Sequence, residues 1–189
     1  MPLHLIPAGH VGTVVTALEM RGRPALAGAA SSLRIRQWSD VDLPAYRALF
    51  RAVGARWLWY SRLEMGDAEL LQALGEVHVV EDGEGAAVGF VELDMADRRT
   101  ARIRFLGLVP DLAGRGHGRW MIGRALALAW RPGVERVALY TCSLDHPAAL
   151  PAYLRAGFQA VDRSFESFPD PRRSGLLPPG CAPQVPIID

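Results

Sequence analysis

Val109-Pro-Asp-Leu-Ala-Gly114-Arg115-Gly116-His117-Gly118-Arg119-Trp120 decides how the rest of the chain is read, because it sets three alternate glycines between a strand pattern and a helix pattern. Before it, Ala101–Val109 alternates apolar and polar residues and then turns continuously apolar, as a strand does on entering a core. After it, Arg119–Arg131 is an apolar segment of helical length. Backbone N–H groups at such a helix start converge on phosphate oxygens, the helix dipole favours the anion, and glycine allows close approach. The chemistry suggested is pyrophosphate binding. A dinucleotide fingerprint needs glycine three residues after Gly116, where Arg119 stands, and a P-loop needs a lysine that the chain lacks. The bland alternative is a tight strand-to-helix connection.

Working outward, Leu33–Trp38 alternates as a strand, and Ser39/Asp40 offer an N-cap before Leu43, Tyr46, Leu49, Phe50 and Val53 at helical spacing. A second short helix is expected over Asp67–Leu74, capped by Asp67. Val77–Val80 and Ala87–Leu93 flank the Gly-rich turn Asp82–Gly85 as a hairpin, and Ala101–Val109 makes a third consecutive antiparallel strand. Beyond the glycine loop, Arg136–Cys142 reads as a strand, Asp145-His-Pro as a helix start ending at Gly157, and Phe158–Phe168 as a last strand. The order β-α-α-β-β-β-α-β-α-β describes one mixed α/β layer domain over 33–168. Residues 1–32 form an N-terminal extension in which Val11–Met20 suits a strand and a short helix equally. The 169–189 tail holds six of the 14 prolines and is expected on the surface or loose.

Composition narrows the function. The length of 189 residues suits one domain of the usual size, roughly 100–200 residues, and 50% hydrophobic content supplies a core. All 21 basic residues are arginine against 20 acidic ones, so no net field attracts nucleic acid or an anionic membrane. No apolar run reaches about 18 residues, which argues against a membrane span. Two cysteines, Cys142 and Cys181, with no basic-then-apolar leader, point to the reducing cytoplasm.

The glycine segment resembles the acyl-CoA loop of the GNAT superfamily of N-acetyltransferases, Gln/Arg-x-x-Gly-x-Gly/Ala at a helix start. Gly116 and Gly118 fill the small positions, and Ala113 stands at the Gln/Arg position. A second resemblance lies in Thr141–Phe158, which ends in Tyr153-x-x-x-Gly157-Phe158. Together they cover about 33–168 and imply a mixed, mostly antiparallel central sheet of about six to seven strands flanked by about four helices. They imply acetyl-CoA as co-substrate, direct attack of an amine of a small molecule or protein on the thioester, and no metal. Gly114, Arg115, Gly116, His117, Gly118 and Arg119 would sit at the CoA phosphates. Main-chain groups near Leu106 and Leu108 would meet pantetheine and the thioester oxygen where two parallel strands part, with Gly107 permitting the irregular strand. The family tyrosine falls on Tyr153, the candidate acid for the leaving thiolate.

The strand position that holds a Glu base in some family members falls on Arg102, which accepts no proton. Glu92 is the substitute base, with Asp94 on the same strand face and His146 as a further candidate. Trp57, Trp59 and Tyr60 line an acceptor pocket, pack the core or form a homodimer contact, and Glu64 and Asp67 are placed to attract a cationic amine. With Arg102 and Ala113 off pattern, the alternative function is a non-catalytic acyl-CoA-binding sensor or interaction module. A nucleotide-phosphate enzyme using the same loop is the third reading.

Overall fold

The computed structural model describes residues 3–25 and 29–188. Its strands are β1 (His10–Met20), β2 (Arg34–Gln37), β3 (Glu76–Glu81), β4 (Ala87–Asp97), β5 (Thr100–Leu108), β6 (Arg136–Cys142) and β7 (Gln159–Pro169). Its helices are α1 (Leu43–Gly54), the single turn α2 (Ser61–Glu64), α3 (Asp67–Ala73), α4 (His117–Ala129) and α5 (Ala149–Arg155). The strands form one seven-stranded sheet in the order β2-β3-β4-β5-β6-β1-β7. Every neighbouring pair is antiparallel except β5 and β6, which run parallel.

Each face of the sheet closes a separate core. Helices α4 and α5 cover one face, where Leu18, Val91, Leu93, Ile103, Met121, Leu126, Val137, Leu139 and Phe158 cluster. Helices α1 to α3 cover the other, where Tyr46, Phe50, Val53, Leu70, Val77, Val79 and Phe90 cluster. The apolar residues of α1 recur at helical spacing and so share one buried face. Asp42 caps this helix, its Oδ1 accepting from the Ala45 N–H at 2.8 Å, in place of the expected Ser39/Asp40. Helix α3 starts after Gly66 with no side-chain cap, and Asp67 instead pairs with Arg47 at 2.7 Å.

Two expectations change. The N-terminal segment is not outside the domain: β1 lies inside the sheet, pairing with β6 from Val15↔Cys142 to Met20↔Val137 and with β7 along its other edge. Its buried side chains are Val11 and Thr13, then Thr16, Leu18 and Met20, so the inward phase switches within the strand and two inward positions are threonines. A periodicity reading misses such a strand. The Pro-rich tail is not loose either, since Leu177 and Ala182 are fully buried against the α1–α3 core. Arg172 and Asp170 pair at 2.6 Å with side chains 2% and 3% exposed, and Arg172 Nη1 donates to the Val185 carbonyl at 2.8 Å. One buried guanidinium thus satisfies backbone that no helix or strand serves. Residues 1–2 and 26–28 of the expected extension and residue 189 of the tail lie outside the described residues.

Candidate active site

Strands β5 and β6 pair only from Thr100↔Arg136 to Ile103↔Leu139 and then diverge. The cause is visible in the pairing of β5 with β4. Glu92 lies opposite Phe105 and Leu93 opposite Ile103, so Arg104 is an extra residue, a β-bulge that bends β5 away from β6. The bulge, not Gly107, makes the strand irregular. Gly107 serves another constraint, because a Cβ there would stand 2.5 Å from Val53 Cγ1 and 3.2 Å from the Trp59 ring.

Past the bulge the main chain alternates in direction. The Val109 N–H donates to the Val88 carbonyl at 2.8 Å, so odd-numbered residues of this stretch bond to β4. By the same alternation Leu106 and Leu108 turn their N–H and C=O groups away from β4, into the gap beside β6.

A cavity of about 840 Å³ fills the fork. Its wall includes Leu106, Leu108, Met121, Ile122, Leu126, Ala149, Ala152 and Tyr153, and it opens at Gly114, Gly116, His117, Gly118 and Arg119. Gly114 and Gly116 have φ of 76° and 83°, a left-handed backbone that other residues resist, and they turn the chain into α4. The first turn of α4 has no side-chain cap, so its leading N–H groups face the cavity mouth without an internal acceptor. His117 is fastened by Ser31, whose Oγ lies 2.9 Å from Nδ1. Arg115 is exposed and lies outside the wall, whereas Arg155, which sequence reasoning missed among 21 arginines, is part of it.

Tyr153 sits on α5 with its ring edge-on to Phe158. Pro151 stands in the first turn of α5, where its missing N–H breaks no helical bond. Among the described residues the Tyr153 hydroxyl has no hydrogen-bond partner, and burial, with Asp145 adding to it, pushes its pKa well above the ordinary phenol value. The neutral phenol is therefore the form present throughout the working pH range.

Glu92 is not placed to act as the base. It is 0% exposed, pairs with Arg62, accepts from the Tyr46 hydroxyl at 2.6 Å, and lies outside the cavity wall. Asp94 is bound by Arg104 at 2.7 Å and held below the usual carboxylate range by the Ala96 N–H and that guanidinium. His146 reaches the wall, but its Nδ1 accepts from the Ala148 N–H at 3.0 Å, so neutral His146 presents a donor and not a base at Nε2. Asp145, read as a helix cap, instead ties off β6. Its carboxylate accepts from Trp59 Nε1 at 3.1 Å, the Thr141 hydroxyl at 2.8 Å and the Cys142 N–H at 2.9 Å.

Trp57 and Trp59 line the cavity, with Trp57 edge-on to His146. Tyr60 packs on Phe168 instead. Glu64 and Asp67 stand outside the wall, and burial raises the Cys142 pKa away from thiolate chemistry. Among the described residues no helix is long and apolar enough to cross a membrane, and no cluster of three His, Cys, Asp or Glu side chains could hold a metal ion.

The splayed parallel pair, with its glycine loop at a helix start, is the arrangement that the sequence resemblance implied. Residues 34–158 match the model of the Acetyltransferase (GNAT) family. The chain belongs to this family. The mycothiol acetyltransferase of Beutenbergia cavernae is 37% identical over 83 residues, which are 44% of this chain and 28% of that protein. The GCN5-related N-acetyltransferase of Sphaerobacter thermophilus superposes with a TM-score of 0.61 at 16% identity, over 82% of this chain and 51% of that one. The spermidine N-acetyltransferase of Vibrio cholerae, solved with CoA and spermine, gives 0.54 at 20% identity over 75% and 97%. The chain thus spans well under a third of the curated relative and about half of the Sphaerobacter protein; the structural likenesses establish the fold.

Proposed function

We propose that the protein is an acetyl-CoA-dependent N-acetyltransferase that moves the acetyl group directly to an amine of a small molecule or protein. The observation that carries this reading is the continuous cavity from the uncapped start of α4, along the exposed main chain of Leu106 and Leu108, to the free hydroxyl of Tyr153. These residues fit the co-substrate. Gly114, Gly116, Gly118 and the α4 N–H groups suit a pyrophosphate, with Arg119 and Arg155 adding charge. The apolar wall suits the pantetheine arm, and the Leu106 and Leu108 groups suit the thioester oxygen.

In transfer, the amine nitrogen bonds to the acetyl carbon, the C–S bond breaks, and the thiolate takes a proton. Preorganised backbone donors lower the cost of the developing oxyanion by a few kcal/mol. Tyr153, held neutral, gives its proton to sulfur and regains one from solvent, while the nitrogen, positively charged after attack, releases a proton to solvent as the amide forms. With Glu92 and the His146 Nδ1 engaged and Asp145 already accepting three bonds, the ammonium proton leaves to water at the open end of the cavity. The rate then rises with pH towards the amine's own value, about 10.4 for an alkylamine, with no alkaline fall from Tyr153 below it.

Thermal unfolding with acetyl-CoA, ATP and NAD at matched concentration, followed by thiol release with an amine panel, tests the reading. A selective acetyl-CoA shift with thiol release supports it. Binding without turnover leaves the acyl-CoA-binding module, which the engaged state of Glu92 favours, and a preference for ATP or NAD overturns both. The two free thiols support a cytoplasmic setting, and light scattering on the same sample reads whether the chain forms a homodimer.

A further inference from the structure

A second cavity, of about 450 Å³, opens on the α2 side of the fork and shares Ile103, Arg104, Phe105 and Tyr140 with the first. The two meet where β5 and β6 part, so a molecule held in the second reaches into the fork. Its other polar lining is Ser61, Arg62 and Arg102, and no acidic residue lines it among the described residues.

The charges around it do not cancel. Glu92 offsets Arg62, but Asp94 alone faces both Arg104 at 2.7 Å and Arg102 at 3.8 Å, which leaves one positive charge unmatched. Donors are also unspent. Arg102 is 48% exposed and its guanidinium makes no hydrogen bond among the described residues. Arg62 is only 4% exposed, yet its Nε has no partner, and its Nη1 has only the Met65 sulfur at 3.6 Å. Guanidinium groups bind carboxylates through paired N–H donors, and a buried, pre-fixed arginine loses little freedom in doing so.

We infer that the acceptor amine also carries a carboxylate, as an amino acid or a short peptide with a free C-terminus does, and that Arg62, Arg102 and Arg104 hold that carboxylate on the α2 side while the amine enters the fork. This rests on the acetyltransferase reading and gives its acceptor a chemical class. The same cations disfavour a polyamine, which would bring like charge to an unmatched arginine.

The test is thiol release from acetyl-CoA with matched acceptors: L-phenylalanine against phenethylamine, and glycyl-phenylalanine against glycyl-phenylalaninamide, with spermidine as the cationic control. The carboxylate members are expected to show kcat/KM about ten- to a hundredfold higher. Arg102→Gln, at a half-exposed position outside both cores, should raise KM for the carboxylate members with kcat retained, and Arg102→Lys should recover part of the loss. Equal or better use of the amides, decarboxylated amines or spermidine overturns the inference, as does an unchanged preference in Arg102→Gln. The acetyltransferase reading fails differently, by no acetyl-CoA thermal shift and no thiol release with any amine, and the inference then falls with it.

Discussion

The two sides of the β5/β6 fork are built on opposite principles. Towards α4 and α5 the wall is aliphatic, with Leu106, Leu108, Met121, Ile122 and Leu126 and the bare main chain of β5. Towards α2 it is guanidinium, with Arg62, Arg102 and Arg104 around a shallower space. The aliphatic side gives up water readily to an apolar ligand, and backbone dipoles act most strongly where water is absent. The cationic side needs a counter-charge to exist at all, since a guanidinium as buried as that of Arg62 is costly alone. Glu92 supplies it. The acid that sequence reasoning marks as a base is therefore the support for an arginine, and the transfer proposed above is left to backbone, phenol and solvent.

This division is open to attack at several points, in descending order of expected effect. Glu92→Ala leaves Arg62 without its counter-ion and Tyr46 without its acceptor, and urea unfolding should show a loss of about 3–5 kcal/mol. A variant of normal stability with activity abolished would instead return Glu92 to catalysis. Tyr153→Phe removes the proposed acid, a hydroxyl with no partner among the described residues, so kcat should fall about a hundredfold while the unfolding midpoint stays close to that of the parent. Equal loss of both would make Tyr153 a packing residue. Gly107→Ala drives a methyl into Val53 and Trp59, and should cost about 1–3 kcal/mol in unfolding and weaken the acetyl-CoA thermal shift. Trp59→Phe deletes one hydrogen bond to Asp145 and should cost about 1 kcal/mol.

A further effect is confined to the tail. Arg172 holds the Asp170 carboxyl below the usual carboxylate range, so this pair's contribution is complete above about pH 4. It is lost as pH falls through the lowered folded-state value. Hydrogen exchange should show the 170–185 segment losing protection only in acid, and Asp170→Asn should show that loss at neutral pH.

What the sequence revealed and what it hid follow from different physics. Strands β3, β4 and β5, helix α1 and the α4 start were legible because their burial is periodic and their boundaries carry Gly, Pro or Asp. The glycine loop was legible because a left-handed backbone at 114 and 116 demands glycine, and Tyr153 was marked by the family resemblance alone. β1 was hidden by its phase switch and inward threonines, and the tail by burial through single residues, Leu177 and Ala182, with no period to detect. The role of Glu92 was invisible because its partners, Tyr46 and Arg62, come from distant positions brought together only by α1 and α2 packing on β4. Arg155 carried no signal in a chain whose every basic residue is arginine, and Arg102 was marked only as a residue standing where a base was sought.

The placement of β1 also governs how the molecule comes into being. The first of the seven strands along the chain is seated between the last two, its Val14 opposite Phe165 and its Met20 opposite Val137. Contacts so distant along the chain close slowly, because the intervening loop must be ordered before they form. β1 therefore stays unpaired until β6 and β7 have been made, and the β6-β1-β7 end of the sheet closes after the rest.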